Sequence, residues 1–127
     1  MNENFIAKLQ TNNYLIGSFD AYIELSKELI KSNSGISDEE VETILKSMPT
    51  TYRAAITNKN GDYIGYIGLY NVDAKNNTSS IRFEVNNDLS KDDKNEILNE
   101  FKKYLSDSLN ITEIEELMYT TNKQTEV

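Results

Sequence analysis

The chain has 127 residues, 38% of them apolar and 27% charged, and a formal net charge of −8; this is one domain's worth of globular sequence with room for a real core. It contains no Cys and no His, which excludes disulfides, thiolate nucleophiles, imidazole bases and an ordinary zinc site; only carboxylate chemistry is left for a metal, and no EF-hand-like spacing is present. The negative balance repels nucleic acid, no run approaches the roughly 18 apolar residues of a membrane span, and the opening MNENFIAKLQ lacks the basic-then-apolar order of a secretory signal. The expected setting is therefore cytoplasmic, without metal, nucleic acid or membrane, and a basic protein surface is a more natural partner.

Within Leu9–Phe19 (LQTNNYLIGSF), Tyr14–Phe19 reads as a short strand, and Ser18 or Asp20 can cap a helix over Ala21–Ser32. Tyr22, Leu25 and Leu29 form its apolar stripe, widened by Ile23 and Ile30, and Asn33-Ser34-Gly35 ends it. The second helix carries the clearest local signal. Ser37 and Glu40 make a capping box, with Ile36 and Val41 placed as a hydrophobic staple. Val41, Ile44, Leu45 and Met48 are its buried face, and Pro49, the single proline, stops it.

Tyr52–Thr57 is a predicted strand, and Asn60-Gly61 is a tight-turn dipeptide. Asp62–Val72 (DYIGYIGLYNV) is a long strand expected to carry Ile64, Tyr66 and Tyr70 on one face and Tyr63, Ile67 and Leu69 on the other. A strand apolar on both sides implies a layer on each side of the sheet. After a polar loop, Ser80–Val85 alternates, with Ile81, Phe83 and Val85 expected inward and Arg82 and Glu84 outward. The helix Asp92–Leu109 presents Ile97, Leu98, Phe101, Tyr104, Leu105 and Leu109 on one side, and Asn110 can supply a left-handed cap. A last strand spans about Glu113–Tyr119. The order is β-α-α-β-β-β-α-β in a single domain over residues 1–122, with 123–127 a polar tail: an α/β fold, a mostly antiparallel sheet with helices on both faces.

That order, with particular residues in it, resembles the GNAT superfamily of acetyl-CoA-dependent N-acetyltransferases, and within it the ribosomal-protein-acetylating branch. That branch often begins L-x-T-x-R-L-x-L-R-x-F; Leu9, Thr11 and Phe19 match in register and Leu15 falls between the two inner leucine positions, whereas Asn13 and Gly17 stand where the two arginines would be. Asn60–Leu69 (NGDYIGYIGL) is similar to the family hairpin with its I-G-x-I-G-L-like strand, and Asn110–Asn122 (NITEIEELMYTTN) resembles the fifth strand, which commonly ends near an Asn, here Asn122. The resemblance implies an acyl-CoA N-acyltransferase fold. The family continues with a further helix and two strands, so the chain reads as C-terminally short, either truncated or part of a longer polypeptide.

The departures bear on activity. The family's fourth strand leads into a Q/R-x-x-G-x-G/A loop whose amides bind the CoA diphosphate; here Lys91-Asp92-Asp93-Lys94-Asn95-Glu96 occupies that region, and Asn86–Glu96 has no glycine. No cofactor residue carries over. A carboxylate about 5 Å from a phosphate charge costs about 3 kcal/mol at an effective dielectric of about 20. Two of them, with the cradle gone, would erase most of a micromolar affinity of about 8 kcal/mol, offset in part by Lys91 and Lys94. The plainer reading is that Ser90 caps the helix while Asp92 and Asp93 favour its dipole.

Glu84 is the candidate general base that the resemblance suggests, against a solvated or paired sheet-face Glu84–Arg82 couple. Tyr66, Tyr70, Tyr104 and Tyr119 are candidate proton donors, or simply core aromatics. Glu39-Glu40 belongs to helix capping, and Glu115-Glu116 on opposite faces of a strand cannot act as a carboxylate pair. Two functions follow. One is a GNAT-like domain with a degenerate acetyl-CoA site, non-catalytic, needing no cofactor and working through a protein partner, a further domain of a longer chain, or a homodimer through the sheet edge. The other is an active N-acetyltransferase that moves an acetyl group from acetyl-CoA to an amine with an atypical cofactor grip. The Asn-, Lys- and Ile-rich usage fits a bacterial source.

Overall fold

The computed structural model describes residues 9–49, 52–86 and 89–121. Its strands are β1 (Leu9–Gln10), β2 (Tyr14–Gly17), β3 (Arg53–Asn58), β4 (Tyr63–Asp73), β5 (Thr78–Val85) and β6 (Glu113–Thr121), and its helices α1 (Ile23–Ser34), α2 (Asp38–Ser47) and α3 (Lys91–Ser108). The strands form one six-stranded sheet in chain order. Every pairing is antiparallel except β5 with β6, which is parallel. A parallel neighbour needs a crossover, and α3 supplies it. Two strands precede α1 where the sequence predicts one, because Leu9 and Gln10 fold back on Ile16 and Leu15.

The sheet has a core on each face. On one side α3 lays Ile97, Phe101 and Leu105 over Ile16, Ile56, Ile67, Leu69, Ile81, Phe83 and Val85. On the other, α1 and α2 bring Leu29, Ile30, Val41, Leu45 and Met48 onto Phe19, Ala55 and Tyr66. The predicted box forms at α2: the Glu40 N–H donates to Ser37 Oγ at 3.2 Å, and the Ser37 N–H donates to Glu40 Oε1 at 3.0 Å. Ser90 caps α3, accepting from the Asp93 N–H at 3.1 Å. Asn110 follows the helix in the left-handed region (φ 57°), which returns the Ile111 N–H to the Leu105 carbonyl at 3.0 Å.

Three expectations are corrected. Neither Ser18 nor Asp20 caps α1. Phe19 is buried against Tyr66 and under the Arg53 guanidinium, and the chain passes through a 3-10 turn at Asp20–Tyr22 before the helix begins at Ile23. Leu25 is 45% exposed, while Ser26 is buried with its hydroxyl 2.6 Å from the Tyr63 hydroxyl. The faces of β4 are also re-phased. Thr57 pairs with Tyr63 but Ile56 pairs with Gly65, so Ile64 is an extra residue in β4. A bulge of this kind exchanges the two faces beyond it. Tyr63 accordingly joins Tyr66 and Tyr70 on the α1–α2 side, and Ile64 joins Ile67 and Leu69 beneath α3.

Candidate functional site

The junction between β5 and α3 is where this architecture presents free helix N–H groups. Asn87 and Asp88 lie outside the described residues. From Ser90 onward, the start of α3 makes several bonds to its own chain. Ser90 takes the Asp93 N–H. The Tyr14 hydroxyl donates to Asp93 Oδ2 at 2.8 Å. Asn13 clamps Glu96 at both oxygens, its backbone N–H on Oε2 and its Nδ2 on Oε1, each at 3.0 Å. The start of α3 is thus fastened across the sheet to the β1–β2 hairpin. Burial, then the hydrogen bond and charge of Asp93, push the Tyr14 phenol up to about 12. Hydrogen bonds from Thr11 and Asn13 hold the Glu96 carboxyl below the usual carboxylate range.

On the other flank of α3, toward β6, lies a groove of about 420 Å³ lined by Phe83, Leu98 and Leu117 together with Lys91, Lys94 and Asn95. Leu117 is 41% exposed on the edge strand. β5 and β6 remain paired from Thr78↔Glu113 to Val85↔Thr121 with one slip between Ser79 and Ser80, so no gap opens between them beside this groove.

The second locus is under α1. Glu84 and Arg82 do face the side opposite Phe83, as alternation demands, but that side is covered, and Glu84 is fully buried rather than solvated. The Tyr66 hydroxyl donates to Glu84 Oε1 at 2.5 Å and accepts from Arg82 Nε at 2.8 Å. Asn33 of α1 donates Nδ2 to Glu84 Oε2 at 3.0 Å, and Arg82 Nη2 lies 3.5 Å from Oε1. Both carboxylate oxygens are engaged. Burial, then the charge of Glu84, holds the Tyr66 proton well above the ordinary phenol value. A charge withdrawn from water needs such partners.

The structure brings Glu84 and Tyr66 together and keeps the remaining candidates apart. Tyr70 donates to Glu116 Oε1 at 2.9 Å near the sheet edge. Tyr104 packs partly buried at the α3 core. The Tyr119 side chain and Asn122 lie outside what is described. Glu39 and Glu40 belong to the first turn of α2. Sequence reasoning missed Asn33, read as part of a helix-breaking triplet, and Asn13, which stands where the resemblance expects an arginine. Among the described residues, no group of three acidic side chains could hold a metal, and no helix is long and apolar enough to cross a membrane.

No protein-family model and no curated protein sequence matches the chain. Among solved structures it is similar to the N-terminal domain of ribosomal-protein-alanine acetyltransferase from Clostridium acetobutylicum ATCC 824, with a TM-score of 0.53 and 20% identity. The fold is GNAT-like. The match covers 83% of this chain and 60% of the acetyltransferase chain, so the GNAT-like unit spans under two thirds of that protein's length. At this level of identity the likeness speaks for the backbone arrangement, and the chemistry of the GNAT-like sheet rests on the residues described above.

Proposed function

We propose that this chain is a degenerate GNAT-like domain that does not transfer acyl groups and works by contact with protein, either a partner or a further domain. The observation that carries the reading is the first turn of α3. A diphosphate at a helix N-terminus wants free amides close to the backbone and no negative side chains. Here Ser90 occupies one amide, and Asp93 and Glu96 are pinned in place by Tyr14 and Asn13. Asp92 joins Asp93 as a second carboxylate in the first turn, with Glu96 one turn further on. These residues do not fit the CoA diphosphate. The buried Glu84, with both oxygens hydrogen-bonded, adds support: a general base must reach the proton it abstracts, and this carboxylate is shut off from solvent.

A second reading, an active N-acetyltransferase with an atypical cofactor grip, draws on the groove beside α3, where Lys91 and Lys94 line the same cavity as Phe83, Leu98 and Leu117. Thermal unfolding with acetyl-CoA separates the two. A ligand at 100 times its Kd adds about 2.7 kcal/mol of stability. The expected result is an unchanged midpoint up to about 1 mM; a clear rise at sub-millimolar ligand would overturn the non-catalytic reading.

A further inference from the structure

The Asn60-Gly61 dipeptide closes the β3–β4 hairpin, and Asn58 organises the turn. The Gly61 N–H donates to the Asn58 carbonyl and the Asn58 N–H to the Asp62 carbonyl, each at 3.0 Å. Asn58 Oδ1 accepts from the Asn60 N–H at 2.9 Å and from the Asp62 N–H at 3.0 Å. Gly61 lies at φ 86°, a left-handed conformation that a residue with a Cβ adopts only at a cost. The turn therefore requires glycine directly after Asn60. It sits beside the start of α3: Asn58 pairs with Tyr14, and the Lys59 charge reaches Glu96.

That requirement has a chemical consequence. The peptide nitrogen after an asparagine can attack the side-chain amide carbon and close a five-membered ring. A side chain on the following residue shields that nitrogen, most of all a β-branched one; glycine leaves it open. Asn60 is the one asparagine of the chain followed by glycine. Asn71, Asn77 and Asn110, which also adopt positive φ, are followed by the β-branched Val72, Thr78 and Ile111. Asn60 and Gly61 are both exposed, and a Cβ built on Gly61 would meet nothing within 4 Å. Among the described residues, Asn60 bonds through its backbone N–H and nothing engages its side chain.

We propose that Asn60 is a self-modification site, converted in the folded chain through a succinimide to aspartate and isoaspartate. The Gly61 nitrogen bonds to Asn60 Cγ, the Cγ–Nδ2 bond breaks, and the proton given up by Gly61 leaves with Nδ2 as ammonia. Water then adds to either ring carbonyl and a ring C–N bond breaks, so one water enters for each ammonia lost. The product carries one further negative charge beside Lys59 and Asp62. Its isoaspartyl form also lengthens the main chain inside the turn, which pulls the Gly61 N–H off the Asn58 carbonyl. In the native turn that N–H is engaged, so ring closure waits for the turn to open, a small local event at an exposed tip.

The test holds the full chain folded in mildly alkaline buffer, digests samples at acid pH and maps the peptides by mass spectrometry. The peptide carrying Asn60 should be the first to gain one dalton, in two products, one of them labelled by an isoaspartyl methyltransferase. The same chain unfolded in urea should convert about 2–12-fold faster, the worth of one ordinary hydrogen bond. Asn60→Gln, which needs a larger ring, should keep the circular dichroism and leave this peptide unchanged. Another asparagine converting first in the folded chain would overturn the proposal. So would conversion of Asn60 only after unfolding, or aspartate as the sole product, which is what direct hydrolysis of the amide yields. None of these outcomes depends on whether acetyl-CoA binds.

Discussion

Replacing Tyr66 by Phe removes one oxygen and leaves the ring volume unchanged. That oxygen donates to Glu84 at 2.5 Å and accepts from Arg82 at 2.8 Å. Two hydrogen bonds to charged groups, each worth about 1.5–3 kcal/mol, would give about 3–6 kcal/mol if nothing compensated. Compensation is available: Asn33 still donates to Glu84, and Arg82 Nη2, already 3.5 Å away, can close the gap. The expected net loss is about 2–3 kcal/mol. With a urea slope of about 1.5 kcal/mol/M for a domain of this size, the midpoint should fall by about 1.3–2 M. Tyr70→Phe is the matched control, since its hydroxyl reaches the exposed Glu116, and should cost under about 1 kcal/mol. An equal, small shift for both variants would mean that Glu84 is not a buried charge held by Tyr66, and the account of this cluster would fail.

Gly65→Ala and Gly68→Ala should diverge. A Cβ at Gly65 meets the Glu84 carbonyl oxygen at 2.1 Å and Val85 Cα at 2.8 Å, both backbone, so it should cost about 3 kcal/mol or more; at Gly68 it meets the movable Met48 sulfur at 2.6 Å and should cost about 1 kcal/mol, as read by denaturation. Ser37→Ala removes both bonds that its hydroxyl makes with Glu40 and should lower stability by about 1 kcal/mol in the same assay. Tyr14 should titrate at about 12 by tyrosine NMR or ultraviolet difference, and Asp93→Asn should bring it only part of the way down, since burial is the larger cause. The folded chain holds this proton more tightly than the unfolded chain, whose tyrosines titrate near 10. That stability is therefore intact below about pH 10 and lost as the pH rises toward 12.

What was legible in the sequence was local. The box at Ser37 and Glu40 binds residues three apart, so nothing distant could alter it, and the same holds for Ser90 over Asp93 and for Asn110 after α3. The faces of β4 were misread because the bulge at Ile64 arises from pairing with β3, which no window along β4 contains. Alternation placed Glu84 and Arg82 on the correct side of β5 but could not say that α1 lies over them. The junction at α3 was legible for what it lacks, glycine, and illegible for what occupies it, because Tyr14 and Asn13 come from some eighty positions earlier.

That same fastening sets an order of assembly. A hairpin made early in synthesis has its polar anchors, Asp93 and Glu96, on a helix that leaves the ribosome much later, so until then Tyr14 and Asn13 wait in water and the first strand has half its support. Contacts this far apart along the chain slow folding, and here they fall on the hairpin that pairs with β3 at the sheet's opening edge. Until α3 has been made, the sheet's opening edge lacks these two anchors.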